Sequence, residues 1–146
     1  MVILFVILGF MFQTGGQQQN PPQQPERSKA ILALEEAIKG KEEMPAEQVF
    51  KNIQIFKGRP AGQILRIMEF GFSPALGVRC NHCHEPGKWE NDDMKQKQVA
   101  RQMSLMSREL NTKLQTITGK DDAAVNCTTC HRGDTKPALN LPGMRR

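Results

Sequence analysis

The sequence predicts an all-α protein, built as two helix–turn–C-x-x-C-H units with few or no strands. Apolar residues recur at three- and four-residue intervals in three segments, the spacing of one helix face. The order helix, turn, C-x-x-C-H occurs twice, an internal repeat of architecture rather than of sequence. The apolar content is also lean. It is 38% of 146 residues, with one Trp and no Tyr. With the apolar first twelve residues set aside it falls to about a third. That supports one small domain and excludes a two-lobed enzyme, a multi-pass membrane protein or a collagen-like chain. Something besides side chains has to fill the middle.

Residues 1–16 read as a signal peptide or N-terminal anchor. Val2 to Phe12 is apolar except for Gly9. The run is shorter than the roughly 20 residues of a membrane-spanning helix and suits a secretory signal. Residues 17–44 form a linker and a short helix. The stretch QTGGQQQNPPQQP is uncharged and rich in Gln and Pro, and Arg27 to Ile38 then repeats apolar residues as a short amphipathic helix. Residues 45–137 form the domain proper, and 138–146 an extended tail. The expected location is the periplasm, with a possible tie to the inner membrane.

Within the domain, Arg59 to Phe70 reads as a helix with Pro60 in its first turn. Ile64, Ile67 and Met68 fall on one face, with Phe72 a turn further. Ser73-Pro74 interrupts the run, and Gly77 marks a turn before Cys80. In the second unit Asp92 or Asp93 caps a helix running to about Leu114. Its apolar stripe is Val99, Met103, Met106, Leu110 and Leu114. A Gly-, Lys- and Asp-rich loop then leads to Cys127.

All four cysteines sit in the motifs Cys80-Asn81-His82-Cys83-His84 and Cys127-Thr128-Thr129-Cys130-His131. C-x-x-C-H is the attachment signature of c-type haem. Two thiols one turn apart each add to a vinyl group of the same porphyrin. The following His84 or His131 then meets the iron as proximal ligand. A four-cysteine zinc site, redox dithiols or two disulfides compete, but none of them needs a His after each second Cys. With three histidines in the chain, both coincidences together have a chance of about 4 in 10,000. Two covalent haems are therefore the expected cofactors, and they supply the missing apolar bulk. His82, at an x position, reads as a surface residue.

A sixth ligand decides between electron transfer and an open site for chemistry. His82 is the only other histidine, so Met is the expected donor. Met68 lies on the first helix. Met103 and Met106 share a face of the second, and periodicity does not choose between them.

The formal charge is +5, from 20 Lys and Arg against 15 Asp and Glu. The basic residues are scattered among acids without a basic, aromatic-laced stripe, so nucleic acid is not an expected partner. Arg59, Arg66, Arg79, Arg101 and Arg132 are candidate partners for haem propionates. Trp89 follows the first motif, as near to that haem as to a plain core or surface role.

The stretch from Val49 to Gly133 resembles the cytochrome c subunit of photosynthetic reaction centres. The matching blocks are KNIQIFKG (Lys51 to Gly58), PAGQILRIMEF (Pro60 to Phe70), GVRCNHCH (Gly77 to His84), VARQMSLMSRELN (Val99 to Asn111) and VNCTTCHRG (Val125 to Gly133). The resemblance implies that each haem packs against a helix supplying an axial Met. It implies Met68 for the haem on Cys80 and Cys83, and Met103, the Met after Ala-Arg-x, for the haem on Cys127 and Cys130. The full-length subunit has four haems, whereas this chain has two motifs and no His in the stretch from Asn111 to Thr118. That departure weakens any expectation of docking on a reaction centre. The expected function is a one-electron carrier between a redox donor and an acceptor, not an enzyme. A two-haem peroxidase and a zinc-stabilised interaction module are the alternatives.

Overall fold

The computed structural model describes residues 28–140. The apolar N-terminal segment, most of the Gln/Pro-rich linker and the end of the tail lie outside the described residues. Helices α1 (Lys29–Ala37), α2 (Ala46–Val49) and α3 (Ala61–Arg66) lead into a π-helical segment, Ile67–Phe72, and then α4 (Ser73–Leu76). A 3₁₀ turn over Cys80–His82 precedes the long α5 (Lys95–Thr118) and the short α6 (Cys127–His131). No strand occurs among the described residues. The β-type pairings there are the isolated bridges Pro45–Pro60 and Glu85–Lys88.

The core lies where α1 crosses α3. Ile31, Ile38, Ala61 and Leu65 are buried together, flanked by Leu34, Val49 and Phe50. Each large aliphatic side chain buried there contributes about 1.5–3 kcal/mol. Small residues allow the close approach, since Ala46 and Ala61 are wholly enclosed. Backbone bonds clip the two chain segments side by side: Ala46 N–H to Arg59 O (2.8 Å), Ala61 N–H to Met44 O (2.9 Å) and Gly62 N–H to Glu42 O (2.8 Å).

The first functional helix differs from its sequence reading. Ser73-Pro74 does not interrupt the run, which stays helical from Ala61 to Leu76 and ends at Gly77 in the left-handed region. The π segment explains this. Its wider turn, closed by Ser73 N–H on Met68 O, moves the Pro74 ring away from the carbonyl four residues back. That carbonyl clash is what breaks an ordinary α-helix at proline. Ile67 lines an outer groove with Phe70, while Ile64, Met68 and Phe72 keep the inner face.

The long helix differs at both ends. Neither Asp92 nor Asp93 caps it. It starts after Met94 with no side-chain cap, and runs a turn beyond Leu114 to Thr118, where Gly119 ends it at φ 66°. Its buried residues are Lys97 and Arg101, and the predicted apolar stripe is exposed at Val99, Met106 and Leu110.

Candidate haem sites

A cavity of about 390 Å³ lies between α1, α3, the π segment and α5. Cys80, Cys83, His84 and Met68 all line it. The structure thus brings together the first motif's two thiols, its imidazole and the expected thioether. Met68 sits on the π segment, the kind of helical irregularity that often aims a functional side chain. Ile31 and Leu34 of α1 form one wall, and Ile53, Ile55 and Phe56 another. Phe72 closes the far side, edge-to-face with Phe56 at 6.4 Å between ring centres. Ser28 Oγ, at the start of α1, lies 3.8 Å from Cys80 Sγ.

The donors are held in usable states. His84 Nδ1 donates to the Trp89 carbonyl at 3.2 Å, which fixes the tautomer and leaves Nε2 free. The Trp89 ring packs edge-on against this imidazole, 5.8 Å between centres. Burial holds the His84 imidazole below its ordinary pKa, despite the Trp89 hydrogen bond, so it is neutral at pH 7. Burial also pushes the Cys83 thiol up.

Around this apolar pocket runs a polar frame. Lys97 and Arg101 are both buried and share one carboxylate: Lys97 Nζ lies 3.1 Å from Asp92 Oδ1, and Arg101 Nη1 2.9 Å from Asp92 Oδ2. The Arg101 guanidinium, with Lys97 behind it, holds the Asp92 carboxyl well below the usual carboxylate range. Asn52 adopts φ 62°, a conformation Asn tolerates better than most residues. From there its amide donates to Glu90 O at 2.6 Å and its carbonyl faces Arg101 at 3.4 Å. The chain before the Met helix is thereby tied to the loop after the first motif.

The lining fits a covalently attached haem. It is a largely apolar slot lined by both thiols, the His84 imidazole, the Met68 thioether and the side chains of Arg79 and Arg101.

The second motif is built differently. A capping box starts α6: Asn126 Oδ1 accepts from Thr129 N–H at 3.1 Å, and Thr129 Oγ1 accepts from Asn126 N–H at 3.1 Å. Asn111 on α5 grips the preceding strand of chain, its Oδ1 accepting from Val125 N–H (2.7 Å) and its Nδ2 donating to Val125 O (3.0 Å). Beyond the motif, Gly133 N–H donates to Ala75 O at 2.9 Å, joining the second unit to α4 of the first. His131 Nδ1 donates to Asp134 O at 3.0 Å, again leaving Nε2 free. Cys127 and His131 are half-buried and Cys130 is exposed. Met103 is half-buried on α5 and Met106 half-exposed. None of these residues lines the first cavity.

Of the arginines singled out, Arg79 and Arg101 line the cavity. Arg66 lines the outer groove, Arg59 bonds Gln63 at 3.3 Å, and Arg132 is exposed with φ 54°. No disulfide joins any of the four cysteines. No group of three or more His, Cys, Asp and Glu side chains among the described residues is arranged to hold a metal ion, so the motifs do not converge on a four-sulfur zinc site. Sequence reasoning missed Lys97, Asp92 in its pairing role, and the wall from Val49 to Phe56. The one available signal for that wall was its alternating Ile53 and Ile55 ahead of Phe56.

Residues 9–140 match the family model described as photosynthetic reaction centre cytochrome C subunit. The chain is 36% identical over 95 residues to the photosynthetic reaction center cytochrome c subunit of Thermochromatium tepidum, covering 63% of this chain and 22% of that protein. It is 33% identical over 81 residues to cytochrome c-554 of Chloroflexus aurantiacus, covering 55% and 20%. It is 34% identical over 94 residues to the corresponding Rubrivivax gelatinosus subunit, covering 51% and 25%. The chain thus spans about a fifth to a quarter of the length of these curated relatives. With the family model covering nearly all of its length, the chain belongs to the photosynthetic reaction centre cytochrome c subunit family.

Proposed function

We propose that this chain is an exported di-haem c-type cytochrome that passes single electrons between protein partners in a periplasmic or membrane-associated chain. The observation that carries the reading is the cavity shared by Cys80, Cys83, His84 and Met68. Each haem, when bound, supplies a ferric/ferrous one-electron couple. The protein's part is to hold, orient and tune it.

In the first unit the Cys80 and Cys83 thiols would hold the haem by adding across its two vinyl groups, each thiol proton passing to the other vinyl carbon. His84 offers Nε2 from the motif side and Met68 its sulfur from the π segment. The walls from Ile53 to Phe56 and from α1 exclude water, and Arg79 and Arg101 face the propionates. In the second unit Cys127, Cys130 and His131 would have the same roles, with Met103 on α5 rather than Met106 as the thioether donor. The thioether donors favour the ferrous state and raise the potential relative to two His ligands.

Residues 1–16 act as the export signal or anchor, 17–44 as linker and short helix, 45–137 as the two-haem domain and 138–146 as its tail. No helix of the described residues is long and apolar enough to cross a membrane. The partners are a redox donor and a redox acceptor.

Carbon monoxide tests this against a peroxidase. The ferrous two-haem protein, untreated, should show no carbon monoxide shift, because both irons keep their thioethers. A strong shift at one haem would refute the relay and favour the enzyme.

A further inference from the structure

The two proximal histidines sit on different kinds of carbonyl. His131 donates to Asp134 O, and no ammonium or guanidinium among the described residues bonds that oxygen. The same residue's carboxylate lies beside it, accepting from Lys136 N–H at 2.8 Å. His84 donates to Trp89 O, and Lys97 Nζ donates to that same oxygen at 2.9 Å. Lys97 Nζ also donates to Asn91 O at 2.6 Å and forms an ion pair with Asp92, 3.1 Å from its Oδ1. The ammonium is thus held firmly in a buried site, behind the imidazole of the first motif.

Two physical effects follow, and they act in the same direction. An ammonium on the Trp89 carbonyl draws electron density from that oxygen and weakens it as an acceptor. The His84 imidazole then carries less anionic character and is a poorer donor to ferric iron. Lys97 also places a buried ammonium beside the cavity, in an ion pair with Asp92 that it shares with Arg101. A buried cation penalises the ferric form, and poor solvation within the cavity magnifies the penalty. Around the second motif the cysteine and the carbonyl are open to water, which screens charge and solvates ferric iron.

We infer that Lys97, through the Trp89 carbonyl it shares with His84, makes the haem on Cys80 and Cys83 the higher-potential centre of the pair. Lys97 is a positioning and tuning residue. It touches neither the cavity's thiols nor its axial donors directly, and acts on His84 through one backbone oxygen. The inference rests on the two-haem reading and goes beyond it by ordering the two centres. The electron comes to rest on the first haem, which fits it to be the outlet or store of the relay, with the solvent-open second motif as the point of entry.

The test is a redox titration of the intact protein with haem counted on the same samples. Wild type should titrate in two one-electron steps. Lys97→Met should lower the reduction constant of the upper step about tenfold, about 59 mV for one electron, and leave the lower step in place. Lys97→Arg, which keeps the charge, should restore most of that shift. A merely structural lysine would move no potential, or would move both. Asp134→Asn is an independent check should Lys97→Met not mature: it should raise the lower step only. A Lys97→Met shift confined to the lower step, no shift at all, or an Asp134→Asn shift in the upper step would overturn the assignment. Fewer than two haems in wild type would overturn the two-haem reading itself, and the haem count separates that failure from a wrong order.

Discussion

Replacing Gly77 by alanine should destabilise the protein far more than the same change at Gly87, although both glycines have positive φ, 64° and 83°. An L-residue in the left-handed region costs about 1–2 kcal/mol, and that cost is common to both sites. At Gly87 nothing lies within 4 Å of the added Cβ, so the loss should stop there. At Gly77 the new Cβ would overlap the Gly133 carbonyl oxygen and stand 2.9 Å from its carbon, against 3.4 Å for ordinary contact. The segment after the second motif would have to retreat by at least about 0.5 Å, a shift a packed backbone resists. The same movement stretches the Gly133–Ala75 hydrogen bond, which contributes about 1 kcal/mol, and loosens α6 from buried Ala75. The expected losses are about 3–4 kcal/mol for Gly77→Ala and about 1–2 kcal/mol for Gly87→Ala. Urea unfolding of the haem-loaded variants, followed by Soret absorbance and far-ultraviolet dichroism, measures both. Equal losses in the two variants would refute the reasoning, because the contact joining α4 to α6 would then carry no energy.

Other expectations concern the ligands, the ion cluster and the second motif. Met68→Ala should open one iron to carbon monoxide and Met103→Ala the other, while Met106→Ala leaves both closed; difference spectra of the ferrous proteins decide it. Asp92 has a depressed folded-state pKa, so its stabilising contribution is complete above the unfolded value of about 4 and is lost as pH falls below it. Asp92→Asn should therefore lower Tm at neutral pH and flatten the fall in Tm between about pH 4 and pH 2; parallel Tm curves would contradict this. Asn111→Ala removes both side-chain bonds to Val125 and should cost about 2 kcal/mol, with Asn111→Asp, which keeps the acceptor, losing less. Thermal unfolding of the three proteins gives the comparison.

What the sequence revealed and what it hid follow from how much each feature depends on local spacing. The motifs were legible because covalent attachment and axial ligation demand Cys, Cys and His at fixed intervals, and no folding preference produces that pattern twice. The helices were legible from their apolar periodicity, including α1, which packs Ile31 into the core. That Met68 lines the same cavity as the first motif follows from the fold, since a methionine on an apolar face reads the same whether it packs or ligates. The π segment leaves no trace in the apolar pattern, and without its wider turn Pro74 reads as a break. Asp92 was misread because a carboxylate before a helix has the composition of a cap. Its actual partners, Lys97 and Arg101, lie one and two turns inside the helix and would look like an ordinary solvent-exposed face. The wall from Val49 to Phe56 meets the motif only through tertiary contacts made by Asn52 and Arg101.

The most direct measurement is the number of covalent haems per chain. Protein matured in a periplasm should give a pyridine haemochrome and an intact mass corresponding to two c-type haems on Cys80, Cys83, Cys127 and Cys130. One haem per chain would contradict the two-centre relay, and none after competent maturation would contradict the cytochrome reading altogether.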